Sequence, residues 1–284
     1  MAVQKTFHQY TTGEKVLAVV KYIVLLALAV LMIIPFVWMI SSSLKTSIDV
    51  FSIPMKWIPE TFHWDNYVTI WSKVSLLTYF KNTIVVALAV TFMQILTSSF
   101  AAYAFAKMQF KGRDVLFMCY IGTIAVPWQV YMVPQFIMMR SLGLFDTIWA
   151  LVVLQSFSAF GVFLMRQFYM GIPNALSEAA RIDGLSEYGI WFRIILPLAK
   201  PAIATLCIFT FVNTWNDFMG PLIYLVSDAN KTIQIGLRRF IQAYTADYHL
   251  IMAASVCSLL PVGAVFLFLQ RYFIEGIATT GVKG

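Results

Sequence analysis

Charge is scarce in this sequence of 284 residues, of which only 12% are Asp, Glu, Lys or Arg. A soluble domain of this length would carry about twice that share, so the composition argues against an ordinary soluble fold. Cysteine is also rare. Cys119, Cys207 and Cys257 lie in apolar runs, are odd in number and show no CxxC spacing, which argues against a disulfide framework and a cysteine metal site.

Catalytic and nucleotide-binding motifs are missing from the sequence. His8, His63 and His249 lie far apart, and there is no HExxH, no GxSxG and no phosphate-binding loop. We therefore predict that the chain is not an enzyme and holds no cofactor or metal of its own. The pI is near 9.3, but the basic residues are spread over many loops without a patch of interleaved aromatics, so no nucleic-acid partner is expected.

Apolar residues dominate the sequence instead, at 60% of the chain with a mean hydropathy of +0.79. Six apolar runs are long enough, or nearly so, to cross a hydrocarbon core about 30 Å thick. The six runs are 22–40, 83–106, 115–133, 147–166, 202–226 and 250–269. They predict an all-α membrane protein in which residues 1–284 form a single transmembrane domain of six helices.

The distribution of basic residues predicts the orientation in the membrane. If the N-terminus is inside, twelve of the 20 lysines and arginines lie in the inner segments. Because cytoplasmic loops carry an excess of basic residues, this bias places both termini in the cytoplasm. It also places the polar interruption at 171–201 on the cytosolic side.

The 171–201 loop has the pattern of two short helices. Asn174 is suited to cap the first helix, and Gly184 can supply the left-handed residue that stops it. Ser186 is suited to cap the second, and the pair Leu196-Pro197 is expected to end it, because the residue before a proline is pushed out of helical geometry.

Small side chains give the first of these helices one distinctive face. Leu176, Ala179, Ala180 and Asp183 follow the spacing of a single helical face, and the alanines allow close approach of another surface. A helix this short needs packing to be stable. The spacing alone leaves two interpretations open: a docking element for a partner, or a loop that covers the end of the helix bundle.

Specific residues in this loop carry a family resemblance. Glu178-Ala179-Ala180, followed by Gly184 and then by Ile194-x-Leu196-Pro197, resembles the EAA loop of permease subunits of bacterial ATP-binding-cassette (ABC) importers. The stretch from Asn213 to Phe218, and Gln270-Arg271-Tyr272-Phe273 with the ending Gly281-Val282-Lys283-Gly284, resemble the carbohydrate-uptake branch. Within that branch the chain is similar to the second permease of maltose-type importers.

The resemblance implies a type I ABC importer permease fold with a coupling helix in the 171–201 loop, located in the bacterial inner (cytoplasmic) membrane. It implies four kinds of partner: a second homologous permease, two ATPase subunits that hold the ATP and Mg²⁺, an extracytoplasmic solute-binding protein, and a sugar or oligosaccharide as solute. The residues implied in ATPase coupling are Glu178, Ala179, Ala180, Asp183, Gly184, Leu196 and Pro197.

Polar residues within the apolar runs are the candidates for solute contact. In the fifth run the spacing puts several of them on one helical face, and Pro221 frees the backbone carbonyl of Asp217, which predicts a kinked, polar helix along the pathway. The alternative is that the amides hydrogen-bond neighbouring helices as packing contacts. The solute-pathway candidates are Asn213, Trp215, Asn216, Asp217, Gly220, Gln94 and Gln155, with Thr97, Ser98, Ser156 and Ser158 as further candidates.

A different class of protein, an ion-coupled secondary transporter or channel, is the alternative function. Such a protein usually needs several ionisable groups inside the membrane, and only Asp217 fits that requirement. The lack of intramembrane Lys or Arg also disfavours a phosphorylated solute.

Overall fold

The computed structural model of the protein describes residues 12–241 and 247–280, and within these residues the chain is built from α-helices. The predicted motif residues from Gly281 to Gly284 lie outside this range. The helices are α1 Thr12–Ser43, α2 Asn66–Lys73, α3 Leu76–Lys107, α4 Arg113–Gly122, α5 Trp128–Ser141, α6 Ile148–Gln155, α7 Ala159–Met170, α8 Asn174–Ile182, α9 Glu187–Ile190, α10 Leu196–Leu198, α11 Lys200–Trp215, α12 Met219–Tyr224, α13 Ile233–Arg238 and α14 Tyr248–Thr280.

The described residues divide into two compact units, of which the first comprises residues 12–70, 240–241 and 247–257. Its main element is α1, a long apolar helix whose most hydrophobic window has no buried side chain, as expected for a helix that faces lipid. The chain folds back on itself after α1, because the Asn66 side-chain amide donates hydrogen bonds to the carbonyls of Ser43 and Lys45, both at 2.9 Å. The Lys45 ammonium lies 4.4 Å from the centre of the Trp38 ring.

The second unit, residues 71–239 and 258–280, is organised around α3. This helix of 32 residues packs against α6, α7 and α11. The contact with α7 depends on small residues, since a Cβ atom added at Gly161 would lie 2.4 Å from Oγ of Ser98. Close approach of this kind is how helices pack in membranes, where the hydrophobic effect does not drive them together.

Three of the six predicted runs form continuous helices and three do not. The runs 22–40, 83–106 and 250–269 lie in α1, α3 and α14, each long and apolar enough to cross a membrane. The run 115–133 is interrupted at Val126-Pro127, where α4 and its following turn meet α5 at 98°. The run 147–166 bends by 42° between α6 and α7, and the run 202–226 breaks after Trp215.

The 171–201 loop contains the two predicted helical segments, with corrections at both boundaries. Asn174 is not the cap of α8: it is the first helical residue, and Pro173 holds the capping position. Gly184 has φ +83, which confirms the predicted left-handed stop. Ser186 caps α9 as predicted, since its Oγ accepts a hydrogen bond from the amide of Gly189 at 3.3 Å.

Leu196-Pro197 does not end the second helical segment. A π-helical turn, Trp191–Ile195, follows α9, and the chain continues through α10 to a break at Ala199, where the axis turns by 80° into α11. Proline removes the bond to the carbonyl four residues earlier, which belongs here to Arg193 inside the π turn. The proline therefore sits where the backbone hydrogen bonding is already irregular.

Candidate functional site

A partly open cavity of about 380 Å³, which we call the central cavity, is lined by residues of the second unit. It is bordered by α3 and α5 and by the breaks that separate α6 from α7 and α11 from α12. Its polar lining residues are Gln94, Gln135, Gln155, Ser158, Asn213 and Asp217. Its aromatic lining residues are Trp128, Tyr131, Phe157 and Tyr224.

The Asp217 carboxylate is held in place by nitrogen donors. Its Oδ2 accepts a hydrogen bond from Nε2 of Gln155 at 2.9 Å, and its Oδ1 accepts one from the backbone amide of Gly220 at 3.1 Å. A Cβ atom at position 220 would lie 2.5 Å from Oδ2 of Asp217, so the carboxylate needs a glycine there. By accepting the Gly220 amide near the start of α12, Asp217 stabilises the beginning of a new helix rather than the continuation of α11.

Two threonines of α11 orient the glutamine side chains of the cavity. Thr214 donates to Oε1 of Gln155 at 3.1 Å, and Thr210 donates to Oε1 of Gln94 at 2.8 Å. With the oxygens engaged, Nε2 of Gln94 donates to the backbone carbonyl of Gln155 at 2.7 Å. Each side-chain amide has two N–H groups, and the bonds to the Gln155 carbonyl and to Asp217 use one on each glutamine.

The bend between α6 and α7 is stabilised from α3. Carbonyls freed at a helix break in a membrane must find other donors. Gln94 supplies one to the carbonyl of Gln155, and Thr97 supplies another to the carbonyl of Ser156, at 2.8 Å. The packing interpretation therefore applies to Thr97 and Ser156. Ser98, which is fully buried beside α7, also packs rather than lining the cavity.

The prediction that the polar residues of the fifth run share one helical face is wrong. The helix ends at Trp215, and Asn213, Asp217 and Gly220 reach the cavity from both sides of the break. Asn216 turns back and donates to the carbonyl of Val212 at 3.0 Å.

Trp215 lies in the core rather than among the cavity-lining residues. It is 1% exposed, and its ring lies against Phe80 and Phe211 with centroids 5.4 and 5.6 Å away. Its indole N–H donates to Oγ of Ser258 at 3.1 Å. A tryptophan satisfied in this way contributes to packing.

Sequence reasoning missed the contribution of α5. Trp128 donates its indole N–H to Oε1 of Gln135 at 3.0 Å, and the Tyr224 hydroxyl donates to the same oxygen at 3.4 Å. Trp128 and Gln135 are seven residues apart, so they share a helical face, and this spacing was a signal available in the sequence. The prolines at 127 and 134 obscured it because they suggest the end of a helix.

The 171–201 loop exposes part of its predicted motif and buries the rest. Glu178, Ala179 and Asp183 are exposed, whereas Ala180 is buried in the core that also contains Ile190. The predicted single face of Leu176, Ala179, Ala180 and Asp183 is therefore split between the interior and the surface. Gly184 is exposed at the turn, Leu196 is half-buried and Pro197 is exposed.

Comparison with known proteins adds a family match. Residues 94–279 match the family model described as "Binding-protein-dependent transport system inner membrane component". The chain is similar to the arabinooligosaccharides transport system permease protein AraQ of Halalkalibacterium halodurans, with 35% identity over 260 residues, 90% of this chain and 93% of that protein. It is also similar to the lactose transport system permease protein LacG of Rhizobium radiobacter, with 32% identity over 259 residues, 91% of this chain and 94% of that protein.

A solved structure shares the fold. It is a bacterial ABC transporter involved in the import of the acidic polysaccharide alginate, and the match has a TM-score of 0.81 at 24% identity, covering 93% of this chain and 99% of the other. The likeness confirms the predicted all-α importer permease fold.

Proposed function

Because the chain belongs to the family of binding-protein-dependent transport system inner membrane components, we propose that its central cavity contacts a sugar or oligosaccharide during import. The chain is a multi-pass inner-membrane permease subunit of an ABC importer.

The composition of the central cavity is the observation that carries the proposal. Sugars present hydroxyl groups that hydrogen-bond to amides and carboxylates, and apolar ring faces that stack on aromatic side chains. Gln94, Gln155, Asn213 and Asp217 provide the first kind of contact, and Trp128 and other rings provide the second. The volume of about 380 Å³ is within the usual range for small-molecule sites. Relatives named for arabinooligosaccharides and lactose support the same solute class.

The charge of the cavity favours a neutral solute. Among the described lining residues there is no lysine or arginine, and Asp217 supplies a carboxylate. A second carboxylate in the cavity, such as that of a uronic acid, would meet electrostatic repulsion from the Asp217 carboxylate. We therefore propose a neutral sugar or oligosaccharide for this subunit, in contrast to the structural relative, which is involved in the import of an acidic polysaccharide.

The 171–201 loop is proposed to face the cytosol and to dock α8 into an ATPase subunit. Its exposed residues Glu178, Ala179 and Asp183 are available for such a contact. The working assembly would contain this chain, a second permease, two ATPase subunits that bind ATP and Mg²⁺, and an extracytoplasmic binding protein. Another structural relative is an alginate ABC transporter in complex with a periplasmic protein that holds an alginate pentasaccharide, which supports that last partner. Both termini of the chain would then be cytoplasmic.

Uptake into proteoliposomes that contain the purified assembly tests the solute class. Neutral arabino- or galacto-oligosaccharides should be imported with ATP, and uronate oligosaccharides of equal length should not. Gln155→Ala should reduce uptake because it removes the donor that holds Asp217. Gln129→Ala is the matched control, since Gln129 is an exposed residue of α5 outside the cavity lining. Uptake driven by an ion gradient in vesicles with this chain alone would overturn the proposal in favour of a secondary transporter.

A further inference from the structure

Two side chains near the end of α3 hold the loop that contains α8. Lys107 Nζ donates hydrogen bonds to the carbonyl of Ile172, at 2.5 Å, and to Oδ1 of Asn174, at 2.9 Å. One turn earlier on the same face of α3, the Tyr103 hydroxyl donates to Oε2 of Glu187 at 2.5 Å. The beginning of α8 and the first residue of α9 are therefore both attached to α3.

Glu187 also holds the last turn of α8. Arg181 donates from Nε to Oε1 of Glu187 at 2.6 Å and from Nη2 to Oε2 at 3.2 Å. A guanidinium favours this two-point pairing with a carboxylate, and the hydrogen bond raises the pKa of Arg181. Since Oε2 accepts from Tyr103 as well, Arg181, Glu187 and Tyr103 form a continuous chain of hydrogen bonds from α8 to α3.

These hydrogen bonds affect the position and the local opening of α8 more than the global free energy of folding. Arg181 and Glu187 are 40% and 36% exposed, and an ion pair this exposed contributes little to the free energy of folding. Its effect is to fix where α8 lies relative to α3. The residues available to a partner are different ones, because Glu178 and Ile182 are exposed on α8 while Ser177 and Ala180 face the interior.

The same helix, α3, reaches the central cavity. Gln94 lies thirteen positions before Lys107 in an uninterrupted helix, which corresponds to about 20 Å along the axis. Gln94 lines the cavity, and with Thr97 it holds the carbonyls at the bend between α6 and α7. A rigid displacement of α3 at its Lys107 end would therefore move donors that shape the cavity.

We infer that Tyr103, Lys107, Arg181 and Glu187 are positioning residues that join α8 to α3, so that movement of α8 with an ATPase subunit is passed along α3 to the central cavity. This inference rests on the proposed function for the source of the movement. We call the contacts that Tyr103, Lys107, Arg181 and Glu187 make between α8 and α3 the joint. The joint does not depend on the identity of the solute.

The discriminating variant is Tyr103→Phe in the purified complex of both permeases and both ATPases in nanodiscs, assayed with the extracytoplasmic binding protein present. It removes one hydroxyl and keeps the ring in the core, so the Arg181–Glu187 pair survives while its connection to α3 is lost. Tyr188→Phe is the matched control, since Tyr188 is an exposed tyrosine adjacent to Glu187. Glu187→Gln, which retains an acceptor for Tyr103 but removes the charge that pairs with Arg181, tests the second link.

Two measurements separate the joint from the proposed function. The first is the ratio of solute-stimulated to basal ATPase activity, which should fall about fivefold in Tyr103→Phe, the factor expected for one lost hydrogen bond, and stay unchanged in Tyr188→Phe. The second is hydrogen exchange of the α8 amides, which should become faster in Tyr103→Phe with or without solute.

Unchanged α8 exchange in Tyr103→Phe would overturn the joint, as would a stimulated ratio equal to that of the wild type. If no neutral oligosaccharide stimulates the wild-type complex, the proposed solute is wrong, and faster α8 exchange in Tyr103→Phe still decides in favour of the joint.

Discussion

Replacing Gly220 with alanine should displace the Asp217 carboxylate and weaken solute recognition in the central cavity. The new Cβ would lie 2.5 Å from Oδ2 of Asp217, well short of the 3.4 Å at which ordinary contact begins, and 3.3 Å from Cδ2 of Leu151. Since Leu151 blocks movement on one side, the carboxylate must shift by nearly 1 Å. That shift breaks its hydrogen bonds from Gln155 and from the backbone amide at position 220.

The expected magnitude follows from these contacts. One hydrogen bond to a charged group contributes about 1.5–3 kcal/mol, and the lower end of that range is the share expected to reach solute binding, because the overpacking of about 1–3 kcal/mol destabilises the free and the solute-bound protein alike. We expect the solute concentration that half-saturates ATPase stimulation to rise about tenfold, which corresponds to about 1.4 kcal/mol. The melting temperature of the purified complex should also fall.

The assay compares solute titrations of ATPase activity for Gly220→Ala and Gly263→Ala in proteoliposomes. A Cβ at Gly263, in α14, meets no atom within 4 Å, so Gly263→Ala should behave as wild type. If Gly220→Ala leaves both half-saturation and melting temperature at wild-type values, the placement of Asp217 in the cavity is refuted.

Three further predictions concern the loops. Gly184→Val should reduce coupled ATPase activity, because a φ of +83 costs a β-branched residue about 1–2 kcal/mol. Gly184→Asn should lose less activity, and equal activity of the two variants would contradict the prediction. Glu178→Ala should lower solute-stimulated ATPase activity without lowering the yield of the chain, and unchanged stimulation and uptake would exclude a coupling role for Glu178. Hydrogen bonds from Ser227 lower the pKa of Asp146 from 3.8 to about 2, so its stabilising contribution is complete above about pH 4 and disappears as the pH falls toward 2. Asp146→Asn should weaken the pH dependence of stability between about pH 4 and about pH 2, measured by hydrogen exchange of the 226–230 segment. An unaltered pH profile would show that Asp146 is not the source of this pH dependence.

Features that depend on local chemistry were predictable from the sequence. The stop at Gly184 and the cap at Ser186 involve residues a few positions apart, so the pattern was sufficient to find them. The EAA pattern identified the importer family because its residues and their spacing are both specific, and the family match confirms it. Asn174 failed as a cap because Pro173 precedes it, and its side chain accepts instead from Lys107, 67 residues earlier.

The candidate solute site was predicted only in part. Gln94, Gln155, Asn213, Asp217 and Gly220 were named from their polarity within apolar runs, and the structure brings them to one cavity. Polarity could not separate them from Asn216, because the direction of each side chain depends on where the helix breaks. The aromatic members from α5 were missed because Pro127 and Pro134 suggested that a helix ends there.

By itself the sequence determined that this protein spans a membrane, since long runs of apolar side chains are stable there wherever they lie in the fold. It also determined the family, through a short motif with specific spacing. The sequence predicted the kink in the run 202–226, but only the tertiary structure decided that the runs 115–133 and 147–166 are also interrupted and that the three breaks border one cavity. The physical reason is that carbonyls freed at a break need donors, and those at the bend between α6 and α7 are supplied from α3, 61 residues away for the pair Gln94 and Gln155.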